Sequence, residues 1–177
     1  MGIERTFVML KPDGMMIPGV FEELVTRLSA SGLVLIDQGM VQPTRELLRK
    51  HYSEFSGPII EDHIGFVMAD SKYFWEYVNG ILTPKYGYVK PHRGNSCMVW
   101  QGESAISIAR ALNGPTHPSS AKKTSPESLR AKYGCNYLPD PTLNPRFNCF
   151  NVAHASGTKE EAEKEIKLWM FSPVEDH

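Results

Sequence analysis

A histidine at the end of an apolar strand is the residue of this chain best suited to nucleophilic chemistry. Phe150 and Val152 alternate as strand residues do, and His154 follows them. Thr158 and Glu161 have the spacing of a capping box, which predicts a helix directly afterwards. Neutral imidazole is nucleophilic near pH 7, and the free amides at a helix start attract anions. The pattern therefore indicates either a nucleophile for an anionic substrate or a histidine that makes one local hydrogen bond.

Cationic side chains elsewhere in the chain are candidates for holding that anion. Lys11 opens a Lys-Pro-Asp-Gly run at the end of a buried strand, where its ammonium either reaches into a cleft or lies exposed beside a turn. Arg110 and Thr116 belong to an Arg-x-x-x-Gly-x-Thr-x-Pro pattern, and Arg130 follows shortly after. Arginine forks fit two phosphate oxygens, whereas lysine acts as a point charge. Together these residues indicate a phosphate site.

A mixture of strands and helices must bring these residues together. Apolar periodicity and capping residues predict strands at residues 6–10, 33–36, 97–100 and around His154, and helices at residues 20–29, 45–55, 73–82, 104–112 and after Thr158. Elements mixed without strict alternation suit an α+β sandwich in which helices cover one face of a small sheet. Residues 56–70, 83–96 and 133–148 are predicted to be surface loops, the last because of its prolines.

Composition limits the class of protein and its partners. The chain has 177 residues, 41% of them hydrophobic, so we expect one domain over residues 1–177 with a sizeable core. A net charge of -1 gives no sign of nucleic acid or an anionic membrane as partner. Three separated cysteines favour a reducing compartment, and we expect neither a leader nor a membrane-spanning segment, since the sequence shows no apolar run of either kind. We therefore expect a cytoplasmic protein.

Taken in order along the chain, these motifs resemble those of a nucleoside diphosphate kinase. The resemblance rests on Glu4-Arg5-Thr6-Phe7, Lys11-Pro12-Asp13-Gly14, His51-Tyr52, Arg110 to Pro118, Arg130, Asn151 to Ser156, and Glu165. It implies a ferredoxin-like sandwich with a four-stranded antiparallel sheet, assembly into a hexamer or tetramer, and nucleoside di- and triphosphates as substrates. It also implies Mg²⁺-dependent transfer of a terminal phosphate through a phosphohistidine on His154.

The same resemblance implies a role for each residue around the histidine. Glu165 would orient His154 by holding one ring nitrogen, and Ser156 would support that carboxylate. Tyr52 would lie beside the histidine and the phosphates.

The nucleotide and its metal would be held by other groups. Lys11 and Asn151 would contact the sugar hydroxyls. Magnesium would be carried by the nucleotide phosphates with no protein ligand, which suits an ion that keeps several waters. We accordingly expect the run Glu61-Asp62-His63 to be a solvated loop and not a metal site.

The nucleotide base is expected to stack on an aromatic residue. Tyr73 is the aligned candidate and Phe74 a possible substitute. A platform that only stacks would accept purines and pyrimidines alike. The alternative is that Tyr73, Phe74 and Tyr77 form the inner face of a helix.

Two features of the chain depart from the family pattern. Gly157 follows the serine where the family usually carries an acidic residue, and extra residues before Asn151 leave Phe147 or Asn148 as candidates to close the base pocket. Such insertions support a rival hypothesis, an inactive nucleotide-binding or scaffold protein of the same fold whose loops block the cleft. A basic run, Lys122, Lys123, Arg130 and Lys132, adds to it but is more typical of a solvated face. We favour the enzyme because nucleophile and orienting glutamate are both kept.

Overall fold

A four-stranded antiparallel sheet forms the centre of the protein, whose computed structural model describes residues 2–55, 58–136 and 149–170. The strands are β1 (Ile3–Leu10), β2 (Val34–Val41), β3 (Asn95–Glu103) and, after two short strands, β6 (Ala153–Ala155); their order is β2-β3-β1-β6. The short strands β4 (Cys135–Asn136) and β5 (Cys149–Phe150) pair with each other. The predicted ferredoxin-like α+β class with a four-stranded antiparallel sheet is confirmed.

Helices connect the strands, and three of those described begin at a predicted capping residue: Thr44, Ser71 or Thr158. They are α1 (Pro12–Met16), α2 (Val20–Ala30), α3 (Arg45–His51), α4 (Pro58–Val67), α5 (Lys72–Tyr77), a π-helical turn (Val78–Leu82), α6 (Thr83–Tyr86), α7 (Ala105–Asn113), α8 (Pro118–Thr124), α9 (Leu129–Tyr133) and α10 (Lys159–Met170). The Thr44 hydroxyl accepts the backbone N–H of Leu47 at 3.1 Å, and Ser71 caps α5 in the same way. Among the described residues, no helix has both the length and the apolar character that crossing a bilayer requires.

Helices cover both faces of the sheet, so the expectation of one covered face is wrong. Val8 and Leu10 of β1 pack with α2 and α7, whereas Phe7 and Met9 pack with α3, α4 and α10. Successive strand residues point to opposite faces, and all four are fully buried. His154 is paired in register with Met9, which places it on the face covered by α3, α4 and α10.

The predicted loops contain regular structure. The loop prediction for residues 56–70 is wrong, because α4 buries Ile60, Ile64 and Val67 at helical spacing. Residues 83–96 include α6 and the start of β3, and residues 133–148 include β4, while residues 137–148 lie outside the described part of the chain.

Glu61 therefore lies on a helix and not in a solvated loop. Its carboxylate accepts from Arg49 Nε at 2.8 Å and from Arg45 Nη1 at 3.4 Å. These ion pairs join α3 to α4 on the surface. Glu61 therefore has a structural role between two of the described helices.

Candidate active site

His154 on β6 lies against a buried carboxylate supplied by α10. Its Nε2 is 2.9 Å from Oε1 of Glu165. Ser156 donates its hydroxyl to the other carboxylate oxygen, Oε2, at 2.5 Å, and its own oxygen accepts the backbone N–H of Phe7 at 3.3 Å. The structure thus brings together three residues that the sequence marks as catalytic. It leaves the second ring nitrogen of His154, Nδ1, outside the contact with Glu165.

The charge of Glu165 follows from its surroundings. Burial raises the pKa of this carboxyl, but the charge and hydrogen bond of His154, together with His51 and Ser156, lower it more, so the net pKa is below the ordinary value. An ionised carboxylate accepts a proton donor, and His154 Nε2 is the ring nitrogen in contact with it. The geometry therefore favours the tautomer in which Nε2 carries the proton and Nδ1 carries the lone pair.

A second histidine, His51, packs behind the first. Its ring centroid lies 4.8 Å from that of His154 at an interplanar angle of 78°, and its Nδ1 lies 3.6 Å from Glu165 Oε1. Burial, helped by the charge of His154, lowers the pKa of His51 to about 3, so the ring is neutral at physiological pH. The residue pattern assigns no role to His51, although its position beside Tyr52 at the end of α3 is a signal for one.

Tyr52 follows α3 directly and joins the same cluster of rings. It is half-buried, with its ring centroid 4.5 Å from that of His51. Burial raises the pKa of the phenol, and the nearby charge of Glu165 raises it further. The hydroxyl therefore stays protonated and can donate a hydrogen bond.

Lys11 is buried at the end of β1 and faces Asn151, so the exposed alternative for this lysine is wrong. Its ammonium donates to Oδ1 of Asn151, whose Nδ2 donates to the Thr116 carbonyl at 3.1 Å. Burial lowers the pKa of Lys11, partly offset by Asp13. Three of the predicted nucleotide-binding residues thus form one connected group.

The turn after Lys11 also holds the backbone beside His154. Val152 has φ 61°, a left-handed conformation that is unfavourable for a β-branched residue. The Asp13 carboxylate accepts the Val152 N–H at 2.9 Å, and the Lys11 N–H donates to the Val152 carbonyl at 2.8 Å. A Cβ on Gly14 would stand 2.6 Å from that carbonyl oxygen, so the approach requires glycine. Asp13 is a site-building residue whose sequence signal indicates only a turn.

The guanidinium of Arg130 on α9 forms hydrogen bonds with three backbone carbonyls. It donates to the carbonyls of Gly114 at 2.8 Å, Ala153 at 2.7 Å and Asn151 at 3.4 Å. Burial lowers its pKa to about 10, which leaves it charged at neutral pH. Arg130 therefore supplies positive charge and also fixes the strand that carries His154.

Arg110 and Thr116 differ from the residues above because both are exposed. Arg110 lies in the last turn of α7, and its Nη1 is 3.3 Å from where a Cβ of Gly157 would stand. This places Arg110 beside the segment that follows His154, with its guanidinium open to solvent.

Gly157 marks a small change in the predicted capping box. Thr158 accepts the Glu161 N–H at 3.1 Å as expected, but the Glu161 carboxylate accepts from Gly157 N at 2.5 Å and not from Thr158. An acidic group from α10 therefore lies next to the position where the family usually carries its own acidic residue.

The aromatic candidates for the base have different surroundings. Tyr73 is half-buried on α5, with the Lys72 ammonium 4.7 Å from its ring centroid. Phe74 and Tyr77 are buried, and Tyr77 stacks on Phe150 at 3.8 Å, so the inner-face alternative applies to these two. Among the described residues, no hydrogen bond or ring contact joins Tyr73 to the group around His154. Phe147 and Asn148 lie outside the described residues.

Comparison with known proteins agrees with this geometry. The sequence model of a family described as nucleoside diphosphate kinase matches residues 4–73 and 92–175. A nucleoside diphosphate kinase from Symbiobacterium thermophilum is 33% identical over 173 residues, which cover 98% of this chain and 90% of that protein. The stretch between the two matched parts, residues 74–91, overlaps the predicted loop at residues 83–96.

Solved structures give the same result. The nucleoside diphosphate kinase of Aquifex aeolicus has a TM-score of 0.68 and 24% identity, covering 97% of this chain and 96% of that one, and shows the shared fold. A halophilic nucleoside diphosphate kinase from Halobacterium salinarum in complex with CDP has a TM-score of 0.64 and 26% identity, covering 94% and 87%. The chain therefore belongs to the nucleoside diphosphate kinase family, and the class of its reaction is phosphotransfer.

Proposed function

We propose that the protein moves the terminal phosphate of a nucleoside triphosphate to a nucleoside diphosphate in two steps, through a phosphohistidine on His154. The observation that carries this proposal is the 2.9 Å contact between His154 Nε2 and Glu165 Oε1. It assigns the proton to one ring nitrogen and leaves a nucleophilic lone pair on the other.

In the first step the Nδ1 lone pair attacks the terminal phosphorus, and a P–N bond forms. The bond from that phosphorus to the bridging oxygen breaks, and the diphosphate leaves with the electron pair. The imidazole gains positive charge, which the Glu165 carboxylate compensates through the Nε2 proton. In the second step a terminal oxygen of another diphosphate attacks the phosphorus, and the P–N bond breaks. The proton on Nε2 stays in place throughout, so no separate acid or base is needed.

In this proposal, the other polar and charged residues around His154 bind different parts of the nucleotide. Arg110 is exposed and free to turn its fork toward two phosphate oxygens, with Thr116 as a neutral donor beside it. Arg130 adds a fixed positive charge, because its N–H groups are committed to backbone carbonyls. Lys11 and Asn151 form a buried polar pair suited to the sugar hydroxyls.

The described residues fit a magnesium ion that arrives with the nucleotide. Both Glu165 oxygens are engaged by His154 and Ser156, and Asp13 accepts a backbone N–H, so these carboxylates are already used. Bound Mg²⁺ would supply charge neutralisation between the phosphates of the substrate. We propose no protein ligand for it.

Base recognition is proposed to be by stacking, with Tyr73 as platform and little discrimination between bases. The Halobacterium salinarum relative was solved with CDP, a pyrimidine diphosphate, which supports acceptance of pyrimidines. The rival of an inactive binding or scaffold protein is not favoured, because the nucleophile and its orienting carboxylate are assembled and paired.

Three broader expectations remain proposals. We propose that residues 1–177 fold as one domain, supported by the pairing of β1 with both β3 and β6. We propose a homo-oligomer, a hexamer or tetramer, which a sizing measurement would test. A cytoplasmic location is supported by three cysteines that are all free thiols.

The test of the activity is incubation with a triphosphate radiolabelled at its terminal phosphate, without an acceptor. We expect an acid-labile, base-stable phosphoprotein that loses its label when a diphosphate is added. His154→Ala should abolish labelling, whereas His92→Ala, at a histidine that bonds the Gly94 carbonyl, should leave it unchanged. A folded parent protein that takes up no label would refute the proposed function.

A further inference from the structure

Two buried side chains lie behind the orienting carboxylate, and the proposed chemistry above does not use them. Trp169 of α10 and His51 of α3 are 2% and 7% exposed. The indole Nε1 of Trp169 lies 3.1 Å from Nδ1 of His51. The same Nδ1 lies 3.6 Å from Glu165 Oε1, the oxygen that His154 contacts.

The direction of the Trp169 contact fixes the state of His51. An indole nitrogen can only donate a hydrogen bond, so Nδ1 of His51 must accept it. A neutral imidazole that accepts at Nδ1 carries its proton at Nε2. The nitrogen of His51 that faces Glu165 is therefore the one without a proton.

The protonation of His51 affects His154 because one oxygen of Glu165 lies close to both imidazole rings. Oε1 of Glu165 is 2.9 Å from His154 Nε2 and 3.6 Å from His51 Nδ1. A proton on His51 Nδ1 would give that oxygen a second donor, and His154 would lose its exclusive orienting partner. The Trp169 N–H occupies the lone pair where such a proton would have to sit.

We propose that Trp169 is a positioning residue that fixes the tautomer of His51 and thereby reserves Oε1 of Glu165 for His154. The proposal rests on the proposed phosphotransfer through His154. Trp169 touches no reacting atom in it, since its effect passes through His51 and Glu165 to the direction of the His154 lone pair.

Other groups around His51 set the sign of its pH dependence. Glu165 favours protonation of His51, while His154 on β6, His63 on α4 and Lys164 on α10 oppose it; Tyr52 packs against the ring from the adjacent position. With Trp169 present, the ring stays neutral. Without the indole N–H, Nδ1 can hold a proton that pairs with Glu165. This is either the ring proton moved from Nε2, which does not depend on pH, or a second proton taken up from solvent, which becomes more favourable as pH falls.

The test compares Trp169→Phe with Trp100→Phe. Trp100 is also buried, at 1% exposure, but among the described residues its indole N–H has no acceptor, so its replacement controls for loss of ring volume. The first readout is ¹⁵N NMR of unphosphorylated, histidine-labelled protein, with the His51 signals assigned by His51→Phe. We expect pyridine-like Nδ1 in the parent and in Trp100→Phe, and pyrrole-like Nδ1 in Trp169→Phe.

The second readout is the pH profile of kcat/KM. Trp169→Phe should move the acid limb to higher pH, with activity about tenfold below the parent near pH 6 and closer to it at alkaline pH. The double variant His51→Phe/Trp169→Phe removes the competing imidazole and should restore the parent acid limb. A protonated Nδ1 in parent His51, or an acid shift that persists in the double variant, would overturn the proposal. An inactive parent with the expected tautomer would instead count against the proposed function alone.

Discussion

The proposed nucleophile side of the site and its proposed phosphate side are held in opposite ways. His154, Glu165 and Ser156 are joined by hydrogen bonds, and Glu165 and Ser156 are buried. Arg110 and Thr116, which would meet the phosphates, are exposed. An attacking atom must be aimed before the substrate arrives, whereas charges that follow a moving phosphoryl group need freedom to adjust. Substitutions on the two sides should therefore have different effects. Those around His154 should lower turnover and stability, whereas those at Arg110 and Thr116 should mainly weaken the interaction with substrate.

The largest effect is expected for Glu165→Gln. The amide keeps the shape but loses the charge that compensates the imidazolium, so kcat/KM should fall about 100-fold. Steady-state kinetics checks this, with Glu163→Gln as control, because Glu163 is on the same helix but pairs with Arg5 at the surface. Unchanged kinetics in Glu165→Gln would mean that the nucleophile side does not depend on this carboxylate.

Arg130→Lys tests the residue that belongs to both sides. A lysine cannot reach three carbonyls at once, so we expect a loss of about 2 kcal/mol in the free energy of unfolding, together with a fall of about 30-fold in kcat/KM. Denaturant unfolding and kinetics measure the two effects. Arg27→Lys, at an arginine on α2 away from His154, is the control. If the variant were as stable as the parent but inactive, Arg130 would belong to the phosphate side alone.

Arg110→Lys should separate charge from geometry on the phosphate side. The charge is kept and the side chain is exposed, so the melting temperature should change little. Loss of the two-pronged contact should still lower kcat/KM about tenfold. Equal kinetics in variant and parent would show that this side needs only a point charge.

Gly157→Ala is expected to have the smallest effect. A Cβ there would stand 2.7 Å from Glu161 Oε2, which is the flexible end of a side chain and can move. The lost contact to Gly157 N should cost about 1 kcal/mol of stability and change kcat/KM by about threefold or less. Glu161→Gln, which keeps an acceptor oxygen, is the matched control. A large loss of activity would mean that Gly157, beyond His154, also belongs to the rigid nucleophile side.

Local patterns predicted much of the fold and of the site. The caps at Thr44, Ser71 and Thr158 are confirmed, because a cap is a contact between residues two or three apart. Only the resemblance to a family places Lys11 and Asn151 in one site before the structure is known, since these residues are 140 apart, and it does not predict their direct contact.

The misses have physical causes. Periodicity shows which side of a helix is apolar but not which sheet face it covers, so the second helical layer is not predicted. The loop prediction for residues 56–70 passes over the helical spacing of Ile60, Ile64 and Val67, which the sequence does contain. Asp13 accepts a backbone N–H, and Arg130, a predicted site residue, also donates to backbone carbonyls; a backbone partner leaves no mark on the sequence at its position. No role is predicted for His51 because its proposed use depends on Trp169, 118 residues further along.

The pairing of β1 with β6 has a consequence for how the chain folds. Residues Phe7 to Leu10 of β1 are all apolar, and β6 pairs with one edge of this segment. During synthesis that edge has no partner until β6 has been made, and an open apolar strand edge is prone to join another chain. Contacts of long sequence separation form slowly, so the pairing of β1 with β6 should be a late step in folding. That one step would both position the proposed nucleophile, His154, and cover the edge that is prone to aggregation. Recovery of catalytic activity on refolding would then report closure of the sheet.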